Sequence, residues 1–281
     1  MAVQAVVFGY HDVGVRCLRV LLDAGVAVPL VVTHRDDPNE RIWFGSVAQL
    51  AQSRGIETLV SEDMHPLRER TSVISPEFIF SFYYRRVLPP ALLALAKKGA
   101  FNMHGSLLPK YRGRAPVNWA VLKGEKETGA TLHEMVAKPD AGRIVDQERV
   151  PIGPDETAAE VFAKVSDAAE TVLKRSLPHL LAGTASLKKQ DLSKGSYFGG
   201  RKPEDGRVDW SKSALEIHNL VRAVAPPYPG AFTDKMKILR TRIENRKAPH
   251  GTTGPYREGD EWFAVCGDGK VLRLLEIEPQ E

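Results

Sequence analysis

Cysteine is nearly absent: the 281 residues contain two, Cys17 and Cys266, far apart and without metal or redox spacing. That excludes a disulfide framework and a cysteine-based zinc site, and it fits a reducing cytoplasm. Long apolar runs are lacking as well. No stretch approaches the roughly 20 residues that a membrane span needs, and the opening MAVQAVVFGY goes directly into a strand with no charged leader or cleavage site. A cytoplasmic protein without membrane insertion is expected. No block of like charge forms a basic tail, and the formal charge of +4 with a pI near 9.0 permits nucleic-acid binding without indicating it. The early glycines, Gly9 and Gly14, do not make G-x-G-x-x-G, so no dinucleotide cofactor is expected.

What is present, 43% hydrophobic and 26% charged residues, is enough for a full core, with one large and one small domain. Val3 to Phe8, Val28 to Thr33, Glu57 to Val60 and Phe78 to Phe82 read as strands. Between them lie helical patterns around Leu18, Leu21 and Leu22, over Ser46 to Arg54, and over Leu67 to Ile74. This β-α alternation predicts an α/β domain with a Rossmann-like parallel sheet. Pro116 to Lys123 is a helix with proline in its first turn and Gly124 at its end. Ile144 to Val150 is a strand, and Pro154 to Thr157 opens a long helix with Val161, Val165, Ala168 and Val172 as its buried stripe. The glycine-rich, charged stretch 193–206 reads as a linker, giving domains 1–195 and 196–281. Beyond it, a helix over Ala214 to Val224 and short strands (Lys237 to Ile243, Trp262 to Cys266, Val271 to Ile277) suit a small OB-like β-barrel.

The chemistry concentrates in Phe101 to Trp119, FNMHGSLLPKYRGRAPVNW. Phe101 to His104 alternate as a strand, so Asn102 and His104 share a face at its carboxyl end. Gly105, Pro109, Gly113 and Pro116 then break the chain into an irregular loop carrying Lys110, Arg112 and Arg114. Acyl transfer needs a donor aimed at a developing oxyanion and a group that moves the nucleophile's proton. Asn102 can be the first and His104 the second; a lone N-x-H is otherwise a pair of buried polar groups satisfied by backbone. The second stretch, Thr128 to Gly142, has a strand over Ala130 to Val136 and a turn, Lys138 to Gly142, that presents Asp140. A carboxylate near an imidazole favours its charged form and fixes its tautomer. Alone, Asp140 would be a turn residue. His104 and Asp140 lack the further His or Cys ligands of a zinc site, so no metal is expected.

Together, Asn102-x-His104-x-Ser106-Leu107-Leu108-Pro109 and Asp140-x-Gly142 closely resemble the folate-dependent formyltransferase family, over nearly the whole chain. The resemblance implies transfer of a formyl group from N10-formyltetrahydrofolate to an amine, with Asn102 holding the oxyanion, His104 moving the proton and Asp140 tuning His104. It implies that backbone around Arg86, Val87 and Leu88, and around Val136, Ala137, Lys138, Pro139 and Asp140, holds the pterin. Arg85 and Arg86 are otherwise a solvated strand-end pair. The short, slightly acidic loop Thr33 to Trp43 is similar to the THxDNPxE-type loop of the branch that formylates UDP-4-amino-4-deoxy-L-arabinose for lipid A modification and polymyxin resistance. Methionyl-tRNA formyltransferases carry a longer basic loop there. Arg114, within G-R-A-P-x-N-W, points to the same sugar branch and could grip a ligand carboxylate or phosphate. Trp43 and Phe44 either pack beneath the loop or line the acceptor pocket.

The expected acceptor is therefore a nucleotide-linked amino sugar, with dTDP- or GDP-linked amino sugars and methionyl-tRNA as the alternatives. Best-known members of that branch are fused to a dehydrogenase or decarboxylase domain. Its absence here implies a separate dehydrogenase/decarboxylase polypeptide in the pathway. Whether the chain forms a homo-oligomer is left open.

Overall fold

The computed structural model of the protein describes residues 2–38, 40–61, 63–249 and 251–279. Met1, Asn39, Glu62, His250, Gln280 and Glu281, which fall in stretches read above, lie outside the described residues. Strands and helices alternate from the start: β1 (Gln4–Gly9), α1 (His11–Asp23), β2 (Ala27–Thr33), α2 (Val47–Ser53), β3 (Glu57–Val60), α3 (Met64–Ile74), β4 (Phe78–Phe82), α4 (Pro90–Leu93) and β5 (Gly99–His104). Then come β6 (Arg112–Gly113), α5 (Pro116–Leu122), β7 (Glu127–Glu134), β8 (Ile144–Pro151), α6 (Ala158–Ala182) and β9 (Tyr197–Phe198). The chain ends with α7 (Ala214–Val224), β10 (Ala231–Phe232), β11 (Met236–Lys247), β12 (Gly254–Glu258), β13 (Glu261–Val265) and β14 (Lys270–Pro279).

Cα packing divides the chain into two compact units, one of residues 1–113, 129–150 and 164–197, the other of 114–128, 151–163 and 198–281. The sequence reading puts one boundary in 193–206; the second unit also takes in α5, whose Asn118 Nδ2 donates to the Ala223 carbonyl of α7 at 2.9 Å.

The first unit is built on a seven-stranded sheet of order β3-β2-β1-β4-β5-β7-β8. From β3 to β5 the pairing is parallel. β4 explains why. Its sequence FIFSF offers almost no polar face, so it is stable only where both faces are covered, and every residue of it is buried. Phe78, Phe80 and Phe82 stack along one face at 5.8 and 5.6 Å. Ile79 turns to the other face and joins Val6, Phe8, Leu30, Val32 and Leu67. Gly14 has a packing reason: a Cβ there would lie 2.7 Å from the Val47 side chain, so α1 and the start of α2 meet only if it is absent.

β7 departs from the parallel pattern by pairing antiparallel with β5, Asn102 opposite His133 and His104 opposite Thr131. It also begins and ends earlier than the expected 130–136: its pairing with β5 runs to Glu134 opposite Phe101, and Met135 N–H makes a last bond to the Ala100 carbonyl at 2.7 Å. α3 likewise starts at Met64 rather than Leu67, since Asp63 Oδ1 accepts the His65 N–H at 3.0 Å and caps it.

In the second unit α7, opened by a Ser213/Glu216 capping box, covers a five-stranded antiparallel sheet of order β10-β11-β14-β13-β12. Ile217, Val221, Ile238, Ala264 and Leu272 fill the space between them. The small β domain read from the sequence is therefore present, with β10 and β12 at the ends of its sheet order. Among the described residues no helix is long and apolar enough to cross a membrane.

Candidate active site

Strand alternation puts Asn102 and His104 on one face of β5, and the antiparallel neighbour adds His133 directly opposite Asn102. His104 is 6% exposed and His133 1%. The loop after β7 folds back so that Asp140 Oδ1 lies 3.6 Å from His104 Nδ1 and 3.4 Å from His133 Nε2. Its other oxygen accepts the Gly113 N–H at 2.8 Å. Burial by itself would raise the Asp140 pKa. The two imidazoles and the Gly113 N–H outweigh it, and the carboxyl is held well below the usual carboxylate range.

The tautomers follow from the partners. His104 Nε2 faces the Tyr111 carbonyl at 2.8 Å, so that nitrogen carries a proton and donates. Nδ1 is then the nitrogen that can take a proton, beside a fixed negative charge. His133 Nδ1 donates to the Glu134 carbonyl at 2.8 Å. Its Nε2, 3.1 Å from Asn102 Nδ2, accepts that amide N–H when unprotonated and can donate to Asp140 when protonated. One N–H of Asn102 is spent in this way, and the second donates to no protein group among the described residues. A fixed amide donor, an imidazole with one open nitrogen and a carboxylate held ionised at neutral pH form the set needed to stabilise an oxyanion and move a proton.

The surrounding loops are held by backbone and buried polar groups. Thr131 Oγ1 donates to the Ser106 carbonyl at 2.6 Å, and Gln147 Nε2 donates to the Leu108 carbonyl at 2.9 Å. Backbone strain collects here too: Tyr111 has φ +56° and Asp140 φ +52°, a region that non-glycine residues enter at a cost of about 1–2 kcal/mol each.

The structure brings Asn102, His104 and Asp140 together and adds His133, which the sequence reading did not single out. The other named residues differ in setting. Arg86 and Val87 are exposed, and Leu88 is buried in the core beside Tyr84 and Leu92. Val136, Ala137 and Lys138 are exposed, and Pro139 is half-buried. Arg114 is exposed and belongs to the second unit, where its N–H donates to the Phe198 carbonyl at 3.0 Å. Trp119 stacks on Phe198 at 4.7 Å, with the Arg201 guanidinium 5.0 Å from its ring centre.

At the carboxyl ends of β1 and β2 a cavity of about 300 Å³ is lined by Tyr10, Thr33, His34, Asp36, Phe44 and Val60 among others. Its lining comes from the ends of β2 and β3 and from the segments that follow β1 and β2, at the carboxyl edge of the parallel strands. Tyr10 Oη donates to Asp36 at 2.8 Å, and burial with that bond pushes its phenol pKa up. Arg85, exposed at the strand end, pairs with Glu40 through two bonds of 2.9 and 2.7 Å and lies 4.7 Å from the Tyr10 ring centre. His11, φ +64°, stacks on Phe44 at 3.8 Å with Trp43 edge-on at 4.7 Å. Burial, with Arg85 nearby, lowers its pKa to about 3. Phe44 thus both packs and lines the cavity.

Residues 6–177 match the formyl transferase family and residues 201–281 match the formyl transferase C-terminal domain. The chain belongs to the formyl transferase family and is a formyltransferase. Its fold is shared with particular solved members. An N-formyltransferase from Helicobacter canadensis, in complex with folinic acid and dTDP-3-aminofucose, is 22% identical with a TM-score of 0.77, each chain covered 100%. WlaRD, a sugar 3N-formyl transferase solved in the presence of dTDP and 5-N-formyl-THF, is 21% identical with a TM-score of 0.78 and 98% coverage of each chain. A 4-N formyltransferase from Francisella tularensis is 21% identical with a TM-score of 0.65, covering 80% of this chain and 89% of its own.

Proposed function

We propose that this enzyme transfers the formyl group of N10-formyltetrahydrofolate to the amine of a nucleotide-linked amino sugar. The observation that carries the reading is the Asn102–His104–Asp140 cluster, with His104 Nδ1 open toward an ionised carboxylate at 3.6 Å. The acceptor amine attacks the formyl carbon, and the free Asn102 N–H donates to the oxyanion that forms. His104 Nδ1 takes the amine proton, Asp140 supports the positive ring, and the proton passes to N10 as tetrahydrofolate leaves. One oxyanion donor contributes about 10²–10³ in rate and a positioned acid–base group about 10²–10⁴.

The folate is assigned to the first unit, where Val87 and Val136, in the loops after β4 and β7, leave apolar side chains 68% and 41% exposed and so available to pack on a flat pterin. The nucleotide part of the acceptor is assigned to the cavity beside Tyr10 and Phe44. Sheet order β2-β1-β4-β5 separates that cavity from His104 by three strand spacings, roughly 14 Å, a span suited to a nucleoside diphosphate lying between base and sugar amine. The acidic loop after Thr33 and the GRAPVNW string favour UDP-4-amino-4-deoxy-L-arabinose, which would put the product on the way to lipid A modification. The dTDP-3-aminofucose bound to the Helicobacter canadensis enzyme supports the wider class.

Purified protein incubated with N10-formyltetrahydrofolate and a panel of UDP-4-amino-4-deoxy-L-arabinose, dTDP-linked amino sugars and initiator methionyl-tRNA tests this, read by product mass. Formylated UDP sugar is the expected result. Product from a dTDP sugar alone overturns the nucleotide, and product from the tRNA alone overturns the acceptor class.

A further inference from the structure

The stretch between α6 and the second unit contacts both loops that carry the site. Lys188 and the backbone of Ile144 exchange N–H···O bonds of 2.7 and 2.8 Å. Two residues on, Gln190, 7% exposed, donates its side-chain amide to the carbonyls of Asp140 and Gly142 at 3.0 and 2.6 Å. Gly142 cannot yield on its other side, since a Cβ there would overlap the Glu134 carbonyl oxygen. The Asp140 turn is thus pinched between β7 and one glutamine. Further along, Gly195 lies so close to Pro109 that a Cβ would strike its carbonyl. The Ser196 hydroxyl accepts the Tyr111 N–H at 2.9 Å, and the Ser196 carbonyl accepts the Arg112 N–H at 3.0 Å. Tyr111 is the residue whose carbonyl receives His104 Nε2–H. Both residues the strap grips, Tyr111 and Asp140, are in the left-handed region, where an unsupported chain would relax.

We propose that residues 188–196 act as a strap in which Gln190 and Ser196 are positioning residues, Gln190 for the Asp140 carboxylate and Ser196, through Tyr111, for the tautomer of His104. This rests on the formyl-transfer reading of His104 and Asp140. A misplacement near 1 Å costs on the order of 10²-fold in turnover, and partial release of the loop costs less. Gln190→Leu and Ser196→Val are therefore expected to lower kcat by about 10- to 100-fold while KM for donor and acceptor stays within about twofold. Ser196→Thr, which keeps the hydroxyl, restores kcat.

The decisive arm is coupling. In an Asp140→Asn background Gln190→Leu costs nothing further, and in a His104→Ala background Ser196→Val costs nothing further, because each acts through the residue already removed. Equal losses in both backgrounds, or a Thr variant as impaired as the Val variant, overturn the proposal. A readout independent of turnover is the ¹⁵N spectrum of labelled histidine, assigned with His104→Gln. The unsubstituted protein shows His104 protonated at Nε2, and Ser196→Val loses that preference; an unchanged tautomer overturns the Ser196 role. Should the unsubstituted enzyme formylate no acceptor, the functional reading fails by itself, and the spectrum still decides the strap.

Discussion

Replacing Asp140 by asparagine removes one charge and little else. The side chain is 13% exposed and its Oδ1 lies 3.6 Å from His104 Nδ1. An amide oxygen in the same place can still accept the Gly113 N–H that Oδ2 now takes at 2.8 Å, so the loop keeps its anchor. At an effective dielectric near 20, a unit charge pair at that distance interacts by about 4–5 kcal/mol. Burying the carboxylate offsets part of this, leaving roughly 2–3 kcal/mol of support for a proton on His104, or about 10²-fold in rate. Steady-state kcat of Asp140→Asn should fall by about that factor near pH 7, with donor affinity unchanged. Stability moves with it. The carboxyl titrates below its ordinary value of 3.8, so its contribution is complete above that pH and is lost as pH falls through the lower folded value. The variant should therefore melt earlier than the parent at pH 7, and the gap should narrow on acidification. A variant within threefold of parental kcat, or with an unchanged melting temperature at pH 7, would refute the electrostatic reasoning.

His11 also makes stability fall on acidification, here because its ring is buried in the neutral form. Its folded pKa of about 3 lies below the ordinary 6.5, so the unfolded chain binds the proton first and stability falls as pH drops from 6.5 toward 3. His11→Phe should flatten that part of the denaturation profile by roughly 2–3 kcal/mol near pH 4; a profile parallel to the parent's would count against a buried neutral ring. Gly142→Ala puts a methyl against the Glu134 carbonyl and should cost about 1–3 kcal/mol as well as activity, seen as a lower denaturant midpoint. Phe44→Ala opens the cavity wall and should raise KM for the acceptor about tenfold, leaving KM for the donor unchanged; equal changes in both would contradict the assignment of the nucleotide to that cavity.

Much of the first unit was legible from local pattern. FIFSF can only be a strand covered on both faces, and the alternation through Phe101 to His104 placed Asn102 and His104 on one side. His133 was not read for a different reason. Its strand was recognised, but its value comes from facing Asn102 across an antiparallel pair, and nothing in the local sequence says which strand β7 joins or in which direction. Gln190 and Ser196 were hidden for a related cause: Gln190 lies just before the aperiodic stretch 193–206 read as linker and Ser196 within it, and only the fold shows that they meet the Asp140 turn and Tyr111. The cavity was illegible in the same way, since Tyr10, His34 and Phe44 come from three segments joined by the sheet. Asp140, alone a turn residue, was found because its motif and the Asn102-x-His104 motif together resemble the formyltransferase family, although its left-handed φ and the glycine squeezed behind it appear only in three dimensions.

The central claim is that Asn102 and His104 carry the transfer. Its most direct test is single-turnover formyl transfer by His104→Ala, and in parallel Asn102→Ala, with donor affinity measured by titration. The account predicts a loss of at least about 10²-fold in each, with N10-formyltetrahydrofolate still bound at near-parental affinity. Near-full turnover by either folded variant would contradict it.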